Sequence, residues 1–432
     1  MSERIEGLRA DRTTWSGYAL LLSSVVTSVL GLGYWFVTAR LFDAAELGRA
    51  TALVSAMLLV TSLGTAGLKR GLIRFVPVAG PGTARFVRHV YAVGLAATLV
   101  LVGVFLTGIG GWSDGIPMFR SGVGGIGLFA ASAAIWGVFA LQDPVLIGAG
   151  RSTVVPAENT AFSVGKIVVV LVGSAFLGAE LSVLLSWVVP AFAATVWVNW
   201  LLFRRRFPEM AATPATERLT VVGVVRFAGG EYVAALAWLG AVYLTPLIVL
   251  DRAGATANAH FYIAFQIGYA LFLVSSNITD ALVAHSAEAP HELWNRTRTV
   301  CRHLTLLLVP AVGLTLVAAP WIMGVFGDGY RDGGSGTLRL LALAAVPNTI
   351  TTVMIAIAHA RREIWLVVVT QVTMAAATVI AELALVGAHG IDGVATGWVI
   401  AQTIAAVVAV ALTFRPGRGG PDRGGPGRGG PT

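Results

Sequence analysis

The sequence predicts an all-α membrane protein, on the basis of its composition, its long apolar runs and the placement of its arginines. Of 432 residues, 56% are hydrophobic and only 12% are charged, about half the charged share of a typical soluble domain. So few charges cannot cover a water-soluble fold of this length. The apolar runs are continuous rather than alternating, which favours spanning helices over the strands of a barrel.

A spanning helix needs about 20 mostly apolar residues, and about twelve segments of the chain meet this requirement. Turn residues such as Gly80-Pro81-Gly82 separate most of them. The predicted helices cover residues 16–38, 48–67, 88–109, 122–148, 153–178, 181–203, 226–250, 258–284, 302–325, 337–359, 363–386 and 391–413. The first run is too long for a cleavable signal peptide and is followed by further spans.

The placement of the basic residues predicts which side of the membrane each connecting segment faces. Of the 30 Lys and Arg residues, 23 fall in segments on the same side as the N-terminus, six fall on the opposite side, and Lys166 lies inside a span. This asymmetry predicts a multi-pass protein of the plasma (inner) membrane with both termini in the cytoplasm, hence an even number of spans. It also explains the net charge of +8 without a nucleic-acid partner.

The longest inner connection follows the sixth span and carries three consecutive arginines, Arg204 to Arg206, with two prolines after them. We therefore predict a six-helix lobe over 1–203, a cytoplasmic connector over 204–225 and a second six-helix lobe over 226–414. Two such lobes are expected to be related by a pseudo-twofold axis along the membrane normal. Residues 415–432, rich in Gly, Pro and Arg, are expected to be a disordered tail, either solvated or in contact with anionic lipid headgroups.

Several functional classes lack their sequence signatures. No P-loop and no HExxH motif occurs, the histidines form no cluster, and the single cysteine, Cys301, excludes an intrachain disulfide. The outer loops are too short for the catalytic domain that membrane glycosyltransferases generally need. We therefore expect neither an enzyme nor a bound cofactor or metal.

Lys166 is the one basic residue that the pattern places inside a span, in the segment VGKIVVVLVG. A charge at the bilayer centre costs about 2.5–3.5 kcal/mol on insertion scales. The lysine stem is too short to reach the inner interface easily from this depth. We predict that Lys166 lines a cavity as a cation; the alternative is an internal salt bridge that fastens span five to a neighbour.

Three further polar residues are predicted near the inner ends of spans four and five. Asn159 precedes Lys166 by seven residues and shares nearly the same helix face, and Glu158 lies about 80° around the helix from that line. Asp143 lies before Pro144 at a similar depth. These groups are predicted to form a polar inner mouth with Lys166. The alternative for Asp143 and Glu158 is an interfacial capping or turn role.

The second half carries a matching set at its inner ends. Glu231 and Tyr232 lie just inside span seven, and Asn277 and Asp280 lie near the inner end of span eight. We predict that they line the same cavity; the alternative is a structural ion pair of either acid with Arg226.

Other intramembrane residues are given structural roles. Glu382 is expected at the outer interface, and Gly393 and Gly397 are expected to form a close helix-packing face. Three glutamines are expected to provide interhelical hydrogen bonds: Gln266, Gln371 and Gln402.

Two stretches resemble a known family. Ala39-Arg40-Leu41, Gly48, Gly67-Leu68 and Ile73-Arg74-Phe75 resemble the opening of bacterial polysaccharide-biosynthesis flippases, which handle lipid-linked oligosaccharides. The turn at 148–151, followed by a span with a basic residue, here Lys166, resembles the connection between their spans four and five. That family belongs to the multidrug/oligosaccharidyl-lipid/polysaccharide exporter superfamily. The related peptidoglycan-lipid flippases tend to place arginines in the first span, which has none here.

The resemblance implies two six-helix lobes around a polar cavity that opens alternately to each side. It implies a polyprenyl-diphosphate-linked oligosaccharide as substrate, moved from the inner to the outer leaflet for surface polysaccharide assembly. Membrane lipids and polysaccharide-assembly enzymes are the implied partners. Two alternatives stay open: a proton- or sodium-coupled multidrug extruder, which would use carboxylates such as Glu158, Glu231 or Asp280, and a non-transporting membrane scaffold.

Overall fold

The computed structural model describes residues 27–108, 116–212, 214, 221–286 and 293–415, with the side chains of 121, 221–228 and 280–286 outside that description. Within these ranges every regular element is helical. The helices are α1 (27–41), α2 (Ala44–Phe75), α3 (Thr83–Gly108), α4 (Val123–Gly148), α5 (Val154–Ser174), α6 (Ala179–Leu201), α7 (Phe207–Ala211), α8 (Val221–Ala253), α9 (Ala255–Ser286), α10 (Leu293–Gly324), α11 (Asp328–Ala360) and α12 (Ile364–Thr413).

In the described part of the chain, ten helices are long and apolar enough to cross a membrane, α2 to α6 and α8 to α12. The all-helical membrane class is therefore confirmed. The count of twelve stays a prediction, since residues 16–26 of the first predicted span lie outside the described residues, as does the tail after 415. The last two predicted spans form one element, α12, broken at Gly390, where φ is 56° and ψ is −138°.

Helix α2 lies at the centre of the molecule. In its most apolar window 78% of the residues are buried, against 22–50% for the other nine candidate spans. It packs against α3, α4 and α6 on one side and against α8 and α9 on the other. Helices α8, α9, α11 and α12 pack on one another, and α10 packs on α9 and α11. Four hydroxyl groups on α2 donate to carbonyls of their own helix: Thr51, Ser55, Thr61 and Thr65.

The helices α1 and α3 to α6, on one side of α2, are here called the first group, and α8 to α12, on the other side, the second group. On the side of the molecule predicted to face outward, polar and aromatic contacts join the two groups. Asn258 Nδ2 on α9 donates to the Gly48 carbonyl at 2.7 Å, and Arg40 Nη2 donates to the Val325 carbonyl at 2.8 Å. The Trp35 and Tyr262 rings meet edge to face with centroids 4.8 Å apart. These contacts join α1 and α2 to α9 and to the turn after α10.

Two glycines on α2 allow the close approach of the second group of helices. A Cβ on Gly48, near the end of α2 predicted to face outward (its outer end), would collide with the Ala255 carbonyl on α9. A Cβ on Gly67, near the end predicted to face the cytoplasm (its inner end), would lie 2.8 Å from the Tyr232 ring on α8. The expected glycine face of the last span is also confirmed, because Cβ atoms on Gly393 and Gly397 would strike backbone atoms of the preceding part of α12.

Replacing Gly48 by alanine is expected to lower the thermal unfolding temperature of the purified protein, because the methyl group must separate α2 from α9. Overpacking of this kind costs about 1–3 kcal/mol. Gly103→Ala is the matched control, since no atom lies within 4 Å of a Cβ at Gly103; it should be neutral or slightly stabilising. Equal unfolding temperatures for the two variants would contradict the close packing at Gly48.

Candidate functional site

A cavity of about 190 Å³ lies among α8, α9, α11 and α12. Its wall combines aromatic rings with amide and hydroxyl groups, and none of its described lining residues is Asp, Glu, Lys or Arg. The polar and aromatic residues of the wall are Trp238, Tyr269, Phe272, Ser276, Thr279, Asn348, Thr351, Thr352, His359, Gln371 and Gln402. The cavity therefore offers hydrogen bonds and ring faces, and His359 is the one basic side chain among its described lining residues.

Two of the predicted interhelical glutamines belong to this wall. Gln402 accepts a hydrogen bond from Asn348 Nδ2 at 3.3 Å, which confirms its interhelical role. Gln402 Nε2 and the Gln371 side-chain oxygen are buried without a protein partner in the described structure. Buried amide groups in this state can still bond to a ligand or to water.

A second cavity of about 180 Å³ adjoins the first and opens between α2 and α8. The two share Trp238, Ile355, His359 and Gln371. The second cavity brings in the charged pair Arg70 and Glu231 and the ring of Tyr232. The two cavities thus lead from the centre of the second group of helices to the inner end of α2.

A charged cluster lies at this inner opening. Glu231 Oε1 is 2.7 Å from Arg70 Nη1 and 2.8 Å from His359 Nε2, so one carboxylate connects α2, α8 and α11. Tyr232 donates to the Leu63 carbonyl at 2.9 Å. Glu231 and Tyr232 therefore line this cavity, and the acid pairs with Arg70 and His359; their role in transport stays a prediction. The Arg226 side chain lies outside the described residues.

Sequence reasoning missed Arg70 and His359. Span two was predicted to end at residue 67, which placed Arg70 in a loop, whereas α2 continues to Phe75. Because α2 continues past residue 67, Arg70 lies on the helix and forms part of the cavity wall. His359 lies in the last turn of α11, and this position in the sequence gave no sign of its acidic neighbour on α8.

Lys166 lies in an aromatic enclosure. Its Nζ atom is 4.2 Å from the centroid of the Tyr34 ring, 4.4 Å from that of Trp187 and 5.6 Å from that of Phe162. The residue is 5% exposed and makes no ion pair within the described chain. Ring faces attract a cation by about 0.5–2 kcal/mol each, so they offset part of its loss of water.

The salt-bridge alternative for Lys166 therefore fails among the described residues. Lys166 is also absent from the walls of the two cavities above. A place in a transport cavity stays a prediction. The Tyr34 hydroxyl is 2.8 Å from the Ser186 hydroxyl, which fixes one ring of the enclosure between α1 and α6.

The predicted inner mouth of the first half is only partly assembled. Asn159 Nδ2 donates to Asp143 Oδ2 at 3.2 Å, and Lys69 on α2 lies close enough to Asp143 for an electrostatic interaction. Glu158 is buried, with 2% exposure. In contrast to the prediction, Lys166 does not join this cluster, since α5 carries it two turns further into the membrane.

The two remaining predicted residues are not seen at the cavities. Asn277 is exposed on α9 and lines neither of them. The Asp280 side chain lies outside the described residues, so its predicted role is untested.

Glu382 was expected at the outer interface, and this was wrong. Its side chain is 0% exposed and accepts a hydrogen bond from Thr245 Oγ1 at 2.6 Å. The predicted span ended at residue 386, only four residues later, whereas the helical segment continues to Gly390. Glu382 therefore lies deeper, against the opposing segment that contains Gly397. Its uninterrupted apolar flanks were the sequence signal for this burial.

Comparisons with known proteins give matches in structure alone. No family model and no curated protein matches the sequence. The structure of lipid II flippase MurJ in an inward closed conformation is similar with a TM-score of 0.69 and 11% identity, over 91% of this chain and 87% of that one. An inward-facing multidrug resistance MATE family transporter of the MOP superfamily gives 0.65 and 16%, over 90% and 93%.

A third similar structure is a MOP superfamily transporter from Pyrococcus furiosus, described as having a binding pocket of reverse polarity that suggests a different function. Its TM-score is 0.53 at 14% identity, and 92% of each chain is covered. This chain has the fold of the MOP superfamily. The resemblance predicted from Ala39-Arg40-Leu41 and Ile73-Arg74-Phe75 is thus supported by the fold that the chain shares with these proteins.

Thr245→Val should destabilise the protein by about 1–3 kcal/mol, because it leaves the buried Glu382 carboxyl without its donor. Thr403→Val is the matched control. Thr403 also lies on a membrane helix, but it is exposed and donates only to its own Val399 carbonyl. The measurement is thermal or denaturant unfolding in the same detergent. A Thr245→Val protein as stable as the control would show that the bond to Glu382 contributes little.

Proposed function

We propose that this chain is a flippase that moves a polyprenyl-diphosphate-linked oligosaccharide from the inner to the outer leaflet of the plasma membrane. In this proposal twelve helices form two six-helix lobes, related by a pseudo-twofold axis along the membrane normal, and both termini are cytoplasmic. The lobes would rock between inward- and outward-open states around the cargo headgroup, while the polyprenyl tail stays in lipid. The product would serve surface polysaccharide assembly.

The composition of the central cavity is the observation that carries this proposal. Amide and hydroxyl side chains both donate and accept hydrogen bonds, as sugar hydroxyl groups require, and the rings of Trp238, Tyr269 and Phe272 offer flat apolar faces for sugar rings. The described lining of this cavity includes no carboxylate to balance a cationic drug. A neutral, polar and aromatic wall suits an oligosaccharide better than an organic cation.

The basic residues support the anionic part of the cargo. Arg70 lies at the opening of the adjoining cavity, and Lys166 is a buried lysine whose neighbours are aromatic rings. We propose that Lys166 meets the diphosphate in a different state of the cycle, when the lobes have rearranged. A cation reduces the cost of bringing a phosphate anion into a medium of low dielectric constant.

The membrane potential can supply the driving force. An interior-negative potential favours outward movement of an anion by about 2.3 kcal/mol per charge per 100 mV. A diphosphate that crosses without an equal number of cations would therefore move outward without ATP. No P-loop is present in the sequence.

A proton- or sodium-coupled multidrug extruder is the second candidate. The buried carboxyl of Glu382 and the MATE transporters among the structural neighbours favour it. A deletion strain separates the two functions. Loss of surface polysaccharide with unchanged drug susceptibility supports the flippase, and hypersensitivity to several cationic drugs with intact polysaccharide supports the extruder.

Lys166→Gln should abolish surface polysaccharide in a complemented deletion strain, because the amide keeps the size of the side chain but removes its charge. The matched control is Arg205→Gln. Arg205 also lies over an aromatic ring, that of Trp200 at 5.4 Å, but on the exposed inner surface. Both variants are first checked for membrane abundance and monodispersity. Normal polysaccharide from a well-folded Lys166→Gln protein would remove Lys166 from the mechanism.

Trp238→Ala should slow transport of a fluorescent polyprenyl-diphosphate oligosaccharide in proteoliposomes by about tenfold, since about 1.4 kcal/mol of ring contact corresponds to that factor. Trp238→Phe should retain most of the rate because it keeps a ring face. Trp321→Ala, a tryptophan that is 65% exposed on α10, serves as the control for loss of an indole. Equal rates in Trp238→Ala and Trp321→Ala would contradict a sugar-binding role for this cavity.

A further inference from the structure

We propose that Tyr34 and Trp35 are positioning residues for Lys166, because they connect it to the contact between the two groups of helices on the side predicted to face outward. While that contact is intact, Lys166 stays in its aromatic enclosure. When the contact opens, the ammonium group becomes accessible to an anion. The meaning of this connection for transport rests on the proposed function, whereas the connection itself does not depend on the cargo.

Tyr34 forms one wall of the enclosure and is held in place at its hydroxyl group. Its ring centroid is 4.2 Å from Lys166 Nζ, and the residue is fully buried. Ser186 donates its hydroxyl proton to the Val183 carbonyl at 2.6 Å, so its oxygen accepts the bond from the Tyr34 hydroxyl at 2.8 Å. Tyr34 is therefore fixed to α6 at one end while its ring covers the lysine.

Trp35 extends this arrangement to the second group of helices. Its ring meets that of Tyr34 with centroids 4.9 Å apart, and it meets Tyr262 on α9 with centroids 4.8 Å apart, edge to face in both cases. Trp35 and Tyr262 are both buried. Because a close-packed interior leaves little free space, one of these rings cannot move far without displacing the next. A row of three rings thus leads from Lys166 to α9.

The other two rings around the ammonium group belong to the first group of helices. Trp187 lies on α6 and Phe162 on α5. Trp187 also approaches Trp35, with centroids 6.4 Å apart. Of the three enclosing rings, Tyr34 is the one that belongs to α1, the helix whose next residue contacts α9. Separation of the two groups on this side therefore removes the support of that wall first.

Lys166 makes no ion pair within the described chain, so an anion can replace its enclosure. The residue is 5% exposed, and ring faces take the place of the water that its ammonium group has lost. A charge-assisted bond to a phosphate oxygen is stronger than the attraction of a ring face. An anion that reaches the ammonium group therefore displaces the rings, and access to Lys166 is the step that Tyr34 and Trp35 control.

Under the proposed function, this connection sets the order of events. The diphosphate would meet Lys166 as the outward-facing contact opens, and the positive charge would then favour movement of the anion toward that side. After release of the cargo, closure of the contact between Trp35 and Tyr262 would return the ammonium group to its rings. The empty protein would therefore reset with its buried cation covered.

The test is the rate at which an acetylating reagent labels Lys166 in the purified full-length protein, at fixed pH and without cargo. Lys69, half-buried on α2, is the only other lysine in the sequence, and mass spectrometry of the two peptides gives the ratio of their labelling. Trp35→Ala and Tyr262→Ala should each raise this ratio by about three- to tenfold, the factor that corresponds to one lost edge-to-face contact. Trp197→Ala, on the lipid-facing side of α6 and 49% exposed, is the control and should leave it unchanged.

Tyr262→Ala separates a connection between the groups from local loosening, because Tyr262 lies on α9, whereas the three enclosing rings lie on α1, α5 and α6. In the double variant the two effects should not add, since both substitutions remove the same contact. Trp35→Phe keeps a ring and should raise the ratio less than Trp35→Ala. Should Trp35→Ala fail to fold, Tyr262→Ala alone still tests the connection.

A rise in Trp35→Ala without a rise in Tyr262→Ala, unchanged labelling in both, or fully additive effects would each overturn the proposal. Labelling requires no cargo, so its outcome is separate from that of the transport assay. Failure of transport with the expected labelling would count against the flippase function alone, and normal transport with unchanged labelling would count against the connection alone.

Discussion

The packing of α2 against helices on both of its sides is the contact on which the rest of the structure depends. Helix α2 is the most buried of the candidate spans in the described chain, and it packs on α3, α4 and α6 as well as on α8 and α9. In a membrane, apolar burial alone does not hold helices together, so close packing and polar contacts must do so. On α2 these are provided by Gly48 and Gly67, by the accepted bond from Asn258 and by the pair of Arg70 with Glu231.

The neutral polar residues of the central cavity and the charged residues at its opening lie in different places. The central cavity is lined by neutral polar and aromatic groups, while charges collect at the inner end of α2. There, two consecutive basic residues interact with acids of different groups of helices, Lys69 with Asp143 and Arg70 with Glu231. Under the proposed function, the neutral wall would hold the sugar by hydrogen bonds, and the charged residues at the end of α2 would meet the charged part of the cargo.

The helical class, the membrane setting and most of the helices followed from the sequence, because apolar runs and arginine asymmetry are properties of single segments. The surroundings of the site residues also depend on contacts between distant segments, which a single segment does not reveal. Glu231 and Tyr232 line a cavity, but their predicted role is untested. Arg70 and Glu382 were placed wrongly because predicted spans ended a few residues early. The enclosure of Lys166 by Tyr34, Phe162 and Trp187 arises from three distant segments, and their meeting depends on tertiary packing.

The two glycine contacts of α2 bear on how the balance between conformations can change in a protein of this fold. Gly48 meets α9 at one end of the helix and Gly67 meets α8 at the other. Gly67 also lines the second cavity, whereas Gly48 belongs to the wall of neither cavity. In the proposed cycle, a small change in side-chain volume at Gly48 would alter the relative free energies of the conformations that open on that side. The residence time in each state would then diverge between related proteins while the proposed preference for a particular sugar stays the same.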